Sequence, residues 1–532
     1  MFLYLLCSLF FAFATAIWPI PSTYTHGHGV LWIDSSVEIT YNVLAEVPAR
    51  PARFLVMQWL RDILPQQSSY GSKATQNNII ETAMANARDT ISNKNFVPWR
   101  FHPRNTNFQP NAHVSRTCIT SISLSQNGTD PAGVQKPLAG DNDESYSLSI
   151  SSDGTARITA ATSIGLAHGL TTFTQLFYKH ADGSAYTTLA PVEIYDSPKF
   201  SHRGLNLDIS RAFYPPSDVM RMIDALAYNK MNRLHLHASD SQSWPVEIPS
   251  LPLLAAKGAY ESSLTYSPAA LDSIQQYGSD RGVEVIIEFD MPGHTTSIAY
   301  GYPDLVAAFD VQPEWDDYAA EPPSGTLKLN SSAVATFLHT LLHDILPRVK
   351  PHSSYFHTGG DEVNANAYKL DETVRSNDTQ VLQPLIQAFV DRIHAQVRAA
   401  GLTPIVWEEM LLQWNLTLGS DVVVQTWISD DSLAQTVKLG HKALAGNYNF
   451  WVRSVGTSTF EKHLLTNMIV SGLWTGPFLR LLPRHLINGI LALRRLLLAP
   501  QELASDVLLR PFVWRARGLD PSGPRRRDTH VV

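Results

Sequence analysis

The sequence predicts an α/β protein: a (β/α)8 TIM-type barrel preceded by a small α+β domain. From Arg203 onward, short apolar runs alternate with amphipathic helical runs, the signal of parallel strands joined by right-handed crossovers. Nearly every apolar run ends in a polar or aromatic residue. That suits a barrel carrying its chemistry on the C-terminal rim better than a doubly wound sheet. Before residue 197 the pattern differs, with period-2 alternation around tight turns.

Residues 1–16 read as a secretory signal, because the run Phe2 to Phe13 is too short to span a bilayer and leads to Ala14-Thr15-Ala16. Residues 17–196 form the α+β domain. Its Tyr146 to Ile150 and Ala156 to Ala160 alternate as strands around an Asp153-Gly154 turn. Leu166, Leu170, Phe173 and Phe177 then mark a helix from Ser163 to Tyr178. The barrel occupies residues 197–451, with strands expected at Gly204 to Ile209, Arg233 to His237, Val283 to Phe289, Ser354 to His357, Pro404 to Trp407, Val422 to Trp427 and Ala443 to Tyr448. Helices are expected at Pro216 to Asn229, Pro268 to Arg281, Ala333 to Val349, Pro384 to Ala400 and Ser432 to Leu439. The last strand is missing or replaced.

Residues 452–532 read as an atypical basic tail. From Trp451 to Val532 the net charge is +7, against -14 for the first 450 residues. Arg484, His485, Arg494 and Arg495 interrupt the Leu-rich stretch 481–498, so no stable membrane insertion is expected. The whole chain, 532 residues with 17% charged side chains and a net charge of -7, is long enough for a large core and gives no support to a nucleic-acid partner. Four Asn-x-Ser/Thr triplets, at Asn127, Asn330, Asn377 and Asn415, fit a secreted glycoprotein. Cys7 leaves with the signal and Cys118 remains alone, so no intramolecular disulfide is expected.

The candidate chemistry centres on His357-Thr358-Gly359-Gly360-Asp361-Glu362, a strand that runs into two glycines and then two carboxylates. Adjacent carboxylates in different environments can be split into one protonated and one ionised group, which is what acid/base catalysis needs. Taken alone, an Asp-Glu pair more often begins a helix. Other strand ends change that balance by supplying Arg211, Asp240 and His294, with Trp407 and Trp427 expected as exposed indoles walling a sugar pocket. A metal-dependent hydrolase is an alternative reading of His235-x-His237 with His294, His357 and Asp361.

Arg203-Gly204-Leu205-Asn206-Leu207-Asp208-Ile209-Ser210-Arg211, His235-Leu236-His237-Ala238-Ser239-Asp240, Asp290-Met291-Pro292-Gly293-His294 and His357-Thr358-Gly359-Gly360-Asp361-Glu362-Val363 resemble the secreted β-N-acetylhexosaminidases of glycoside hydrolase family 20. The resemblance runs from about residue 17 to Trp451. It implies exo-acting hydrolysis of terminal N-acetylhexosamine, with the substrate's acetamido oxygen as nucleophile and retention of configuration. It further implies Glu362 as general acid, Asp361 as orienter of the acetamido group, Arg211 on sugar hydroxyls, an Asp240–His294 relay behind Glu362, and Trp407 and Trp427 as pocket walls. No cofactor or metal is implied. The expected partner is an oligosaccharide or glycoconjugate ending in GlcNAc or GalNAc, and a complete barrel is compatible with a homodimer.

After Trp451 the family continues into Tyr-Leu-Asp, which completes the pocket, whereas this chain has Val452-Arg453-Ser454 and no later Trp-Ser/Gly-Glu stretch. The segment from Val452 reads as the product of an unremoved intron, a shifted frame or an assembly error. A degenerate homologue that binds sugar without turnover is therefore a further alternative.

Overall fold

The computed structural model describes residues 17–43 and 76–446. The signal segment, the end of strand seven from Asn447 and the basic tail lie outside the described residues.

The N-terminal domain is a six-stranded mixed sheet. Its long first strand, Thr23–Val43, pairs with Cys118–Gln126 on one side and with Ala185–Asp196 on the other. Tyr146–Ile150 and Ala156–Ala160 pair antiparallel, as the alternation predicts, with Leu148 opposite Ile158. Their inward residues pack on the helix Ser163–Gln175, where Thr162 caps the N-terminus by accepting the Gly165 N–H. This helix ends three residues before the expected Tyr178. Tyr178–Lys179 instead forms a short strand opposite Tyr186 and Ala185. Cross-strand pairing of Tyr178 with Tyr186 thus overrides the helical spacing of Phe173 and Phe177.

All seven expected barrel strands are present: Gly204–Asp208, Arg233–His237, Glu284–Glu288, Tyr355–His357, Thr403–Trp407, Val423–Thr426 and Lys442–Ala445. They form one parallel sheet in sequential order, with strands one and seven at its edges among the described residues. The order follows from repeated right-handed crossovers. Helices Pro216–Tyr228, Pro268–Ser279, Ser332–Val349 and Thr379–Ala399 cover the outer face, burying Leu205, Leu207, Leu234, Leu236, Val285 and Ile287 in the main core. The fourth of these begins five residues before the expected Pro384. Asp378 caps it by accepting the Gln380 N–H, so Pro384 lies inside the helix.

Strand alternation divides the inner face into two layers. Ile286, Tyr355, Ile405, Val423 and Leu444 make a small apolar cluster toward the strand starts. His235, His237, Glu288, His357 and Trp407 make a buried polar layer nearer the C-terminal rim. The two domains are tied by Glu144, which accepts from Arg203 and from Asn232 (3.1 Å), and by Lys230, whose Nζ reaches the Tyr146 hydroxyl at 2.9 Å. Among the described residues no helix is long and apolar enough to cross a membrane.

Candidate active site

Strand four ends at His357, and the two glycines that follow let the chain turn sharply across the barrel mouth. Gly359 and Gly360 have φ of 71° and 106°, and a Cβ on Gly359 would lie 1.9 Å from Asp290 Oδ1. That carboxylate oxygen accepts the Gly360 N–H at 2.8 Å. Gly359→Ala is accordingly expected to destabilise the fold by on the order of 2–4 kcal/mol and to abolish turnover. Thermal unfolding read beside activity checks both.

The turn presents Asp361 and Glu362, whose side chains are 18% and 21% exposed, against His294. His294 Nε2 lies 3.4 Å from Glu362 Oε2 and 3.9 Å from Asp361 Oδ2. Glu362 and His294 both have left-handed backbones, with φ of 51° and 54°. Two non-glycine residues in that region, facing each other, are a local cost of the kind that collects at functional sites.

His294 Nδ1 lies 3.2 Å from Asp240 Oδ1, so Asp240 and His294 are hydrogen-bonded and the other ring nitrogen faces Glu362 across 3.4 Å as an ion pair. Burial alone would make His294 neutral, but Asp240 and Asp361 outweigh it and hold its pKa well above the usual histidine range. Burial would likewise raise Asp240, yet Arg211 and His294 hold it well below the carboxylate range as an anion. Arg211 is gripped by three carboxylates: Nη1 meets Asp208 at 2.8 Å, Nη2 meets Asp240 at 2.9 Å and Nε meets Glu321 at 2.9 Å. This fixes the plane of the guanidinium at the rim.

Asp361 has a partner that sequence reasoning missed. Asp290 is fully buried beside it, with a carboxylate oxygen of Asp290, a ring nitrogen of His294 and a carboxylate oxygen of Asp361 lying within 4.8 Å of one another. Burial and the charge of Asp361 hold the Asp290 pKa well above the carboxylate range. Burial raises Asp361 too, and its pKa stays above the usual carboxylate value although His294 and a hydrogen bond with Asp290 oppose the rise. The larger rise is that of Asp290, so the shared proton of the pair sits there and the negative charge on Asp361. Asp361 Oδ1 is buried, so it is not the oxygen that faces the barrel mouth.

One of the two tryptophans departs from expectation. Trp407 is only 3% exposed and its indole N–H donates to Glu288 at 2.7 Å, so it is buried inside the barrel rather than exposed at the mouth. The strand-end position could aim the ring either way, and the buried acceptor decides it. Trp427 is partly exposed and donates to Glu409 Oε1 at 3.0 Å. Burial, then the charge of Asp361, pushes Glu409 up to about 8, so this support beneath Trp427 is neutral at pH 7. Two histidines of the metal reading are taken up by a carboxylate: His235 and His237 both converge on Glu288, at 2.7 and 2.8 Å.

Comparison with known proteins agrees with this geometry. The model of the glycosyl hydrolase family 20 catalytic domain matches residues 200–468, which runs past Trp451, and a beta-acetyl hexosaminidase-like model matches residues 17–176. The chain is similar to a beta-hexosaminidase of Arthroderma benhamiae, 41% identical over 467 residues, covering 84% of this chain and 76% of that protein. It is similar also to beta-hexosaminidase subunit A1 of Dictyostelium discoideum, 31% identical, covering 71% and 69%. Among solved structures, the Flavobacterium johnsoniae chitobiase has a TM-score of 0.61 at 21% identity, covering 91% of this chain and 71% of that chain. A mutant beta-hexosaminidase of Streptomyces plicatus in complex with its product GlcNAc has a TM-score of 0.55 at 22% identity, covering 81% and 73%. At such identities the structural likeness speaks for the fold, and the sequence matches speak for the lineage. The chain belongs to glycosyl hydrolase family 20.

Proposed function

We propose that this chain is an exo-acting β-N-acetylhexosaminidase that removes terminal GlcNAc or GalNAc with retention, using the substrate's acetamido oxygen as nucleophile. The observation that carries the reading is the split between neighbouring carboxyls: Glu362 faces the charged His294, which Asp240 backs, while Asp361 beside it is paired with the buried, protonated Asp290. Glu362 then protonates the glycosidic oxygen as the bond to C1 breaks. Asp361 accepts the acetamido N–H, aims the acetamido oxygen at C1 and stabilises the positive charge as the oxazolinium ring closes. Water, giving its proton to the Glu362 carboxylate, then attacks C1 from the face the aglycon left and breaks the ring's C1–O bond, which restores the acetamido group and the original configuration. Arg211, with three of its N–H groups committed to carboxylates, uses the remaining ones on sugar hydroxyls, and Trp427 holds the acetamido methyl. Family membership, rather than any metal count, sets aside the metal-hydrolase alternative.

Release of phenol from aryl β-N-acetylglucosaminides tests the activity, and the N-trifluoroacetyl analogue tests the nucleophile. The analogue's electron-poor acyl oxygen is expected to slow turnover on the order of a hundredfold or more. Equal rates for the two substrates would rule out substrate assistance. Val452-Arg453-Ser454, standing where the resemblance expects Tyr-Leu-Asp, favours one second reading, a sugar-binding homologue without turnover. GlcNAc that raises the melting temperature while aryl glycosides stay intact would establish it. Export with glycosylation is part of the same proposal, and it is supported by the exposure of all four sequon asparagines, Asn127, Asn330, Asn377 and Asn415.

A further inference from the structure

Beneath the relay, the inner faces of strands two to five carry a charged layer that the reaction above leaves without a role. Glu288 is completely buried, and its Oε2 meets His235 Nε2 at 2.7 Å and His237 Nδ1 at 2.8 Å. Its Oε1 accepts the Trp407 indole N–H at 2.7 Å and lies 3.3 Å from His357 Nδ1. The other nitrogen of His237, Nε2, lies 2.7 Å from Asp240 Oδ2. Both nitrogens of one imidazole therefore face carboxylate oxygens. An ionised carboxylate can only accept, so a ring that satisfies two of them carries hydrogen on both nitrogens and is an imidazolium.

We propose that the relay behind Glu362 continues past Asp240 through His237 to Glu288, and that His237 is a positioning residue. In this arrangement its charge and its two hydrogen bonds fix the orientation and ionisation of Asp240 and, through His294, the proton balance at Glu362. This deepens the hexosaminidase reading and rests on Glu362 being the acid. Along the chain the charges alternate: Glu288 negative, His237 positive, Asp240 negative, His294 positive, then Glu362.

The surroundings of His237 agree. Asp208 lies opposite it in register on strand one, Asp290 offers an oxygen within 4.8 Å from the end of strand three, and Arg211 shares Asp240 with it. His235 on its own strand shares Glu288. Burial alone would drive His237 neutral, but Glu288 and Asp208 outweigh burial and hold its pKa well above the usual range. Asp290 is the protonated member of its pair and adds no charge. Burial pushes His357 down to about 3, so it is neutral and is not the counter-charge to Glu288. The layer below, Ile286, Tyr355, Ile405, Val423 and Leu444, shows that this barrel fills its interior with apolar side chains nearer the strand starts. Ions buried for packing alone would cost desolvation that such residues avoid.

Two measurements decide it. In the wild-type protein with 15N-labelled histidine, the His237 ring is expected to show two protonated nitrogens from pH 5 to pH 8. A neutral His237 at pH 7 overturns the proposal, whatever the fate of any variant. In His237→Gln, kcat on an aryl N-acetylglucosaminide is expected to fall by on the order of tenfold with KM within about twofold. The basic limb of its pH profile should move to higher pH, because removing a cation beside Asp240 makes protons harder to withdraw from the chain that ends at Glu362. In an Asp240→Asn background the same change should add little further loss. A His237→Gln basic limb that coincides with the wild type, with kcat lowered equally at every pH, means a merely structural role. Failure of the parent reading is separate: Glu362→Gln retaining wild-type rates would remove the acid while leaving a doubly protonated His237 in place.

Discussion

Glu362→Gln lowers kcat by an expected 10²- to 10⁴-fold, to order of magnitude, while KM stays within a fewfold of the wild type. The amide keeps the size and hydrogen-bonding reach of the side chain but carries no transferable proton, so it removes an interaction that exists only as the glycosidic bond breaks. The loss must also depend on the leaving group. A nitrophenolate departs as a stable anion and needs little help, whereas a methylphenol or a second sugar departs only when protonated. Steady-state rates over a series of aryl β-N-acetylglucosaminides should therefore show the variant falling further behind as the phenol becomes less acidic. An equal loss across the series would mean that Glu362 does not donate the proton and that the His294 relay serves something else.

Much of this site could be read from the chain before any coordinates, and the parts that could not have a common cause. Strand ends announce themselves, because a short apolar run stopping at a polar residue is visible in one dimension; Asp361, Glu362 and His294 were found that way. Arg211 and Asp240 also stand at strand ends, and the structure brings them into one cluster with His294. Glu288, His237 and Asp290 were not assigned their roles. Their importance lies in which face of the sheet they occupy and which carboxyl they meet, and alternation leaves both faces open until the register is known. The His235-x-His237 spacing correctly put two imidazoles on one face, but nothing local says that a glutamate on the next strand, rather than a metal, receives them. Trp407 was misread for the same reason. A strand-end indole can line a mouth or turn into the barrel, and Glu288 on strand three settles it by accepting the N–H.

Asp361→Asn is expected to lower kcat by on the order of 10²- to 10³-fold, by a different route from the acid. The substitution removes the charge that faces the forming oxazolinium, and it disturbs the pair with Asp290. In the wild type the buried Asp290 keeps the shared proton and donates toward Asp361, which keeps Asp361 an anionic acceptor for the acetamido N–H. Once residue 361 is neutral, the field that keeps Asp290 protonated weakens. Asp290 can then ionise and draw the new amide N–H toward itself, away from the substrate. The acetamido group loses both its orientation and its compensating charge. Turnover should consequently become less sensitive to the acyl group: the ratio of N-acetyl to N-trifluoroacetyl rates, large in the wild type, should shrink in Asp361→Asn. Combining it with Glu362→Gln should cost less than the product of the single losses, since both residues serve one bond-breaking step. Asp361→Asn within about tenfold of wild type, with the acyl ratio unchanged, would place the charge that stabilises the oxazolinium elsewhere, and Glu409, raised to about 8 and ionised only under alkaline conditions, could not supply it at neutral pH.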